Sequence, residues 1–175
     1  MEAAHRILFS EQAIEQRVAE LAQNISNDYA GKDVVAICIL KGALVFFTDL
    51  VRCLSFPVFI DFIQASSYGS GTVSSRNLVI NKDISIDIRG RQVLLIDTII
   101  DTGEIMACLY KRFLEQSPAS LAIVGLLDKK PRRTADVPIR YKGFEIPDLF
   151  VVGYGMDYGE QYRNLPYIAV LDGDR

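Results

Sequence analysis

The stretch Val93-Leu94-Leu95-Ile96-Asp97-Thr98-Ile99-Ile100-Asp101-Thr102-Gly103-Glu104-Ile105-Met106 decides how the chain is read. Four apolar residues run unbroken into Asp97, a second carboxylate follows at Asp101, and an amphipathic run opens after Gly103. An unbroken apolar run suits a central parallel strand, because such a strand is covered on both faces. A Thr-Gly at a helix start offers amides and the positive end of the helix dipole, where a phosphate can sit. The stretch therefore predicts a strand, an acidic loop from Asp97 to Gly103, and a helix.

Upstream, Phe9 to Gly31 carries Ile14, Val18, Leu21 and Ile25 on one helical stripe. Ser10 is the expected N-cap, Phe9 a staple onto Ile14, and Gly31 the stop. The sole histidine, His5, falls in an expected frayed terminus, which disfavours His-based chemistry. Val34 to Leu40 reads as a second buried strand ending at Lys41-Gly42, with a helix from Ala43 to Cys53. Pro57 to Gln64 is a third strand. The Ser- and Gly-rich Ala65 to Arg76 then has the composition of a mobile loop that could serve as a lid.

Leu78 to Ile80 is expected as a short strand, and Ile105, Met106, Leu109 and Phe113 mark a helix ended by Ser117-Pro118. Ser120 to Leu127 is another buried strand. The run Asp128-Lys129-Lys130-Pro131-Arg132-Arg133 that follows fits a solvated loop, a loop sending one cation into a site, or a nucleic-acid patch. Ile168 to Leu171 is a last short strand. Alternating strands and helices imply an α/β fold with a mainly parallel sheet flanked by helices. Without a linker, a repeat or a low-complexity tract, residues 1–175 read as a single domain.

With 175 residues, half of them hydrophobic, the chain can bury a real core. Its net charge of −3 lacks the basic surplus of a general nucleic-acid binder, so an anionic ligand would need a few placed cations, backbone amides or a metal. Cys38, Cys53 and Cys108 have no metal-like spacing and are expected as reduced, buried thiols in a cytoplasmic protein. No apolar stretch approaches the roughly 18 residues that span a bilayer.

Lys41-Gly42, Asp97 to Gly103 and Lys129 should converge at the carboxyl ends of the strands, where open α/β sheets bind ligands. The chain has no Walker A loop, no dinucleotide Gly motif and no nucleophile elbow served by a histidine. Carboxylates beside a phosphate turn make sense if they face ribose hydroxyls or a divalent cation. They could also merely end a strand and cap a helix.

At this point Val93 to Gly103 resembles the phosphoribosyl-pyrophosphate signature of type I phosphoribosyltransferases. Leu40-Lys41-Gly42, Ser66 to Gly71, Lys142 to Asp148, Phe150 to Tyr154, Asp157-Tyr158 and Arg163 narrow the resemblance to 6-oxopurine (hypoxanthine) phosphoribosyltransferases of the bacterial type. It covers nearly the whole chain and implies the family's α/β fold with a small hood made by terminal segments. The implied reaction is purine salvage: 6-oxopurine and phosphoribosyl pyrophosphate give IMP or GMP and pyrophosphate, with Mg2+.

Residue by residue, the resemblance makes Asp101 the catalytic base for the proton at purine N7. Asp97, Thr98, Thr102, Gly103, Glu104 and Ile105 form the phosphoribosyl site, where the 5′-phosphate sits on the Thr102–Ile105 amides. Lys41, Gly42 and Arg163 meet pyrophosphate. Lys129, Phe150, Val151 and Asp157 hold the purine, Asp97 and Asp157 lie near Mg2+, and Ser67 and Tyr68 belong to the lid. A homo-oligomer, dimer or tetramer, is implied, with no nucleic-acid or membrane partner.

The chain departs from the family pattern in three places. Thr98 stands where a second acid is usual, Ile105 where a threonine is usual, and Glu104 adds charge beside the phosphate turn. The expectation is weakened sugar-phosphate binding with chemistry retained, improved by Thr98→Asp with Ile105→Thr. Two rival readings are a paralogue that binds nucleotide without turnover and an RNA-binding regulator on the same scaffold.

Overall fold

The computed structural model describes residues 5–67 and 78–171. Its principal sheet has six strands: β2 (Val34–Leu40), β3 (Phe59–Ser67), β4 (Leu78–Lys82), β5 (Gln92–Ile100), β6 (Ser120–Asp128) and β7 (Ile139–Glu145). Their order is β4-β3-β2-β5-β6-β7, parallel throughout except for antiparallel β4 at the edge. The chain winds outward in one direction from β2 to β3 and in the other from β5 to β6 and β7. The switch between β2 and β5 opens a crevice at their carboxyl ends, the place where such sheets take ligands.

Helices α1 (Glu11–Tyr29) and α2 (Leu44–Cys53) cover one face. Ile14, Val18, Leu21 and Ile25 meet Ala36, Cys38, Leu94 and Ile96 there. Helix α3 (Glu104–Leu114) covers the other face, where Met106, Leu109 and Phe113 join Val35, Ile37, Val93 and Leu95. Alternate residues of β2 and β5 thus feed opposite cores, which accounts for their unbroken hydrophobicity.

The hood is a three-stranded antiparallel sheet, β1 (His5–Phe9), β9 (Ile168–Leu171) and β8 (Val151–Val152), built from both ends of the chain. Val151, Ile168 and Val170 pack into the α1–α2 core.

Several expectations require correction. The helix expected from Phe9 begins at Glu11, capped by Ser10, whose hydroxyl accepts from the Ala13 N–H (3.3 Å). Phe9 belongs to β1 and stacks on Phe144, with ring centroids 4.1 Å apart. His5 opens β1, paired with Leu171, and is not a frayed end. The central strand does not stop at Asp97 but continues to Ile100, leaving only Asp101 to Gly103 as the turn before α3. The following helix ends at Leu114, short of Ser117. Cys53 is exposed and Cys108 half-buried, so only Cys38 is the buried thiol expected of all three.

Candidate active site

The crevice is floored by the end of β5. Because side chains alternate along a strand, Asp97 points toward the α3 side and Thr98 toward the α1–α2 side. Asp97 lines a cavity of about 140 Å³ shared with Ile39, Asp101, Gly103 and Ile105. Burial pushes its carboxyl up to about 7, opposed by backbone N–H groups of Thr98 and Ile99. The Thr98 N–H bond measures 2.8 Å.

Thr98 does not offer its hydroxyl to the cavity. It is fully buried and donates to the Gly42 carbonyl at 3.0 Å. From the opposite side Gly155, at φ +94°, approaches so closely that a Cβ there would stand 2.2 Å from the Gly42 oxygen. The Lys41–Gly42 turn is thus held between β5 and the loop after β8.

At the turn itself, Gly103 adopts φ +82° and caps α3, its carbonyl accepting from the Ala107 N–H (2.8 Å). A Cβ at Gly103 would meet Arg133 Cδ at 2.9 Å and the Ala135 carbonyl at 3.0 Å, so only glycine fits. The Glu104 N–H donates to Thr102 Oγ1 (3.4 Å), and the Glu104 carboxylate accepts from the Thr134 hydroxyl (3.0 Å). A carboxylate therefore sits beside the amides expected to hold a phosphate.

The cation-rich run after β6 folds inward. Lys129 is 6% exposed, and its Nζ lies 3.2 Å from Asp101 Oδ2 and 4.0 Å from Asp148 Oδ1. Arg132 Nε lies 3.3 Å from Asp101 Oδ1. Arg133 pairs with buried Asp128. Within this run Lys129 turns inward against Asp101, while Lys130 and Arg132 stay exposed.

On the far rim, Lys41 Nζ pairs with Glu160 (3.0 Å) and Arg163 with Asp157 (2.8 Å) and Glu160 (3.4 Å). Hydrogen bonding and charge from Lys41 hold the Glu160 carboxyl below its ordinary value. Tyr154 pins this loop to α2, its hydroxyl donating to Asp49 (2.6 Å). Phe150, 51% exposed, meets Tyr158 edge-on at 5.7 Å, while Val151 is buried in β8. The Ile146 N–H donates to the Asp128 carbonyl (3.0 Å), which keeps the segment that carries Asp148 alongside Lys129. Ser67 ends β3, and Tyr68 lies outside the described residues.

Sequence reasoning singled out neither Glu160, Asp148, Thr134 nor Arg132. The first three engage Lys41, Lys129 and Glu104, and Arg132 engages Asp101. Arg132 and Asp148 lay within quoted stretches and Glu160 and Thr134 close to them, but their contacts are long-range and no local pattern picks them out.

A mainly parallel α/β sheet with a glycine turn at a helix start, a carboxylate–lysine pair and paired cations around its switch-point crevice defines the class of α/β proteins whose crevice is suited to an anionic ligand. Comparison with known proteins makes it particular. Residues 6–159 match the model of the phosphoribosyl transferase domain. A Bacillus subtilis protein named hypoxanthine-guanine phosphoribosyltransferase is 45% identical over 166 residues, 95% of this chain and 92% of that protein. A Salmonella typhimurium hypoxanthine phosphoribosyltransferase is 44% identical over 165 residues, 93% of each chain. The crystal structure of a hypoxanthine-guanine phosphoribosyltransferase from Bacillus anthracis, with HEPES in its active site, superposes with TM-score 0.92 at 43% identity, covering 95% of this chain and 98% of that one. The chain belongs to the phosphoribosyl transferase family.

Proposed function

We propose that the chain is a purine-salvage transferase that moves the 5-phosphoribosyl group from phosphoribosyl pyrophosphate to N9 of hypoxanthine or guanine, yielding IMP or GMP and pyrophosphate. The observation that carries this reading is the Asp101–Lys129 pair at the crevice mouth, on a chain 45% identical to a protein of that name.

Asp101 takes the proton from purine N7, and Lys129 donates to the exocyclic O6. A 6-amino purine would set donor against donor at Lys129, so adenine is disfavoured. The Thr102–Ile105 amides hold the 5′-phosphate. Lys41, Gly42 and Arg163 receive pyrophosphate, Lys41 and Arg163 exchanging their Glu160 and Asp157 partners for it. Phe150 stacks on the base, and the Val151 backbone reads its edge. Ser67 and Tyr68 belong to the segment that closes over the reacting centre and excludes water.

Mg2+ fits the chain at Asp97, a desolvated carboxylate on the cavity wall. Asp157 fits less well, because its Oδ1 is paired with Arg163 and its Oδ2 accepts the Glu160 N–H (2.9 Å). Held at Asp97, Mg2+ would supply charge neutralisation for the leaving pyrophosphate. Among the described residues no helix is long and apolar enough to cross a membrane. We place the chain in the cytoplasm as a dimer or tetramer, which light scattering tests.

The decisive experiment is nucleotide formation from hypoxanthine, guanine, xanthine and adenine, with phosphoribosyl pyrophosphate and Mg2+, with and without chelator. Product from 6-oxopurines alone is expected, lost on chelation and on Asp101→Asn. Nucleotide binding without product from any base would instead support the non-catalytic paralogue, the reading motivated by Thr98 and Ile105. The RNA-binding reading would require Lys129, Arg132 and Arg133 to give up the carboxylates that each of them holds.

A further inference from the structure

The cations after β6 do different things. Arg133 braces the backbone, donating to the Ile100 carbonyl (3.1 Å) and pairing with Asp128. Lys129 and Arg132 both reach Asp101, but at opposite oxygens: Oδ2 for Lys129 and Oδ1 for Arg132.

The backbone that carries Arg132 is well anchored. The Lys129 N–H donates to the Ile100 carbonyl (3.0 Å), the Arg132 N–H to the Lys129 carbonyl (3.0 Å), and the Thr134 and Ala135 N–H groups to the Thr102 carbonyl (3.0 and 3.1 Å). The Asp101 turn and the Arg132 turn are therefore one hydrogen-bonded unit. Asp148 Oδ1, 4.0 Å from Lys129 Nζ and 3.9 Å from Arg132 Nε, balances the second positive charge.

We propose that Arg132 is a positioning residue for proton transfer at Asp101, an inference that rests on the function proposed above. In that reaction the purine N7–H bond breaks and its proton passes to Asp101 Oδ2. The purine's N9 lone pair bonds to ribose C1′, and the C1′–O electron pair leaves with pyrophosphate. Oδ2 is open to the proton only once Lys129 has turned from it to the purine O6. From then on Arg132, at Oδ1, keeps the carboxylate from rotating out of the reacting geometry. Arg132 binds neither substrate in this scheme, so its loss falls on kcat and spares KM.

The test is steady-state kinetics of the full chain as wild type, Arg132→Gln, Arg132→Lys and Arg140→Gln. The last removes a comparable exposed pair, Arg140 with Asp28 at 2.9 Å, away from the site. Arg132→Gln is expected to lower kcat roughly ten- to a hundredfold at unchanged KM for both substrates and unchanged melting temperature. Arg132→Lys or added guanidinium should restore part of it, and Arg140→Gln should keep wild-type kcat. A lowered melting temperature without the kcat loss, or wild-type kcat in Arg132→Gln, overturns the proposal alone. A wild-type chain that forms no nucleotide overturns the proposed function and this inference together.

Discussion

Thr98 is where sequence and structure predict opposite outcomes, so it is the sharpest place to perturb the protein. The family pattern suggests that an acid at this position would strengthen ribose binding. The side chain, however, is fully buried on the α1–α2 side and donates to the Gly42 carbonyl at 3.0 Å. Thr98→Val keeps the volume but removes the donor, leaving that carbonyl unpaired beside Gly155, at a cost of about 1–3 kcal/mol. Thr98→Asp sets a carboxylate against a carbonyl oxygen. An uncompensated buried charge costs roughly 3–5 kcal/mol, so the acid should be the worse of the two. Thr98→Ser should lie close to wild type.

Urea unfolding measures these costs directly. Kinetics should show the loosened Lys41–Gly42 turn as a higher KM for phosphoribosyl pyrophosphate, roughly fivefold for each ~1 kcal/mol that reaches the bound state. A Thr98→Asp protein of wild-type stability with a lowered KM would refute this reasoning and restore the ribose role for position 98.

Other perturbations probe the rest of the crevice. Burial holds the Asp97 carboxyl at about 7 against an ordinary 3.8, so between those values the folded chain keeps a proton that the unfolded chain has released. Unfolding free energy should therefore fall as pH rises through that window, by roughly 4 kcal/mol over its full extent, and Asp97→Asn should flatten the fall in denaturant titrations. Glu104→Gln removes the carboxylate beside the phosphate turn and should lower KM for phosphoribosyl pyrophosphate about two- to fivefold. It should also cost about 0.5 kcal/mol of stability, because an acid favours a helix N-terminus. Gly103→Ala forces φ +82° on a residue with a Cβ and drives that Cβ into Arg133 and Ala135. It should destabilise by roughly 1–2 kcal/mol in urea and raise the same KM.

How much the sequence foretold follows from the range of the forces involved. Strands β2, β5 and β6 announce themselves because burial on both faces demands unbroken apolar runs. Strand β7 was missed because Arg140, Lys142 and Glu145 give an edge strand no such run. β1 and β8 were missed because their partner, β9, is distant in sequence or their length is two residues. The end of β5 was misplaced for a related reason. Asp97 looks like a terminus by composition, but pairing with Gly125, Leu127 and Asp128 on β6 carries the strand on to Ile100. That extension puts positions 97 and 98 under strict alternation, turning one side chain to the cavity and the other to Gly42.

The ion pairs explain how a chain of net charge −3 can be suited to a polyanion without a basic surface. Each cation expected to meet the substrate already holds a carboxylate: Lys41 has Glu160, Arg163 has Asp157, and Lys129 has Asp101. Binding is then an exchange of one anion for another, and its free energy is a difference between two pairings. For Lys41 and Glu160, both well exposed, the pairing given up is worth about 0–1 kcal/mol, so a phosphate displaces it readily. Lys129 is buried, and leaving it unpaired would be far more costly. Under the proposed function it turns from Asp101, with Asp148 still 4.0 Å away, toward a further acceptor, which an oxo group at purine C6 supplies and an amino group does not. On that reading, the exchange that spares the free protein a repulsive cluster of cations also couples the arrival of the purine's own acceptor to the freeing of Asp101.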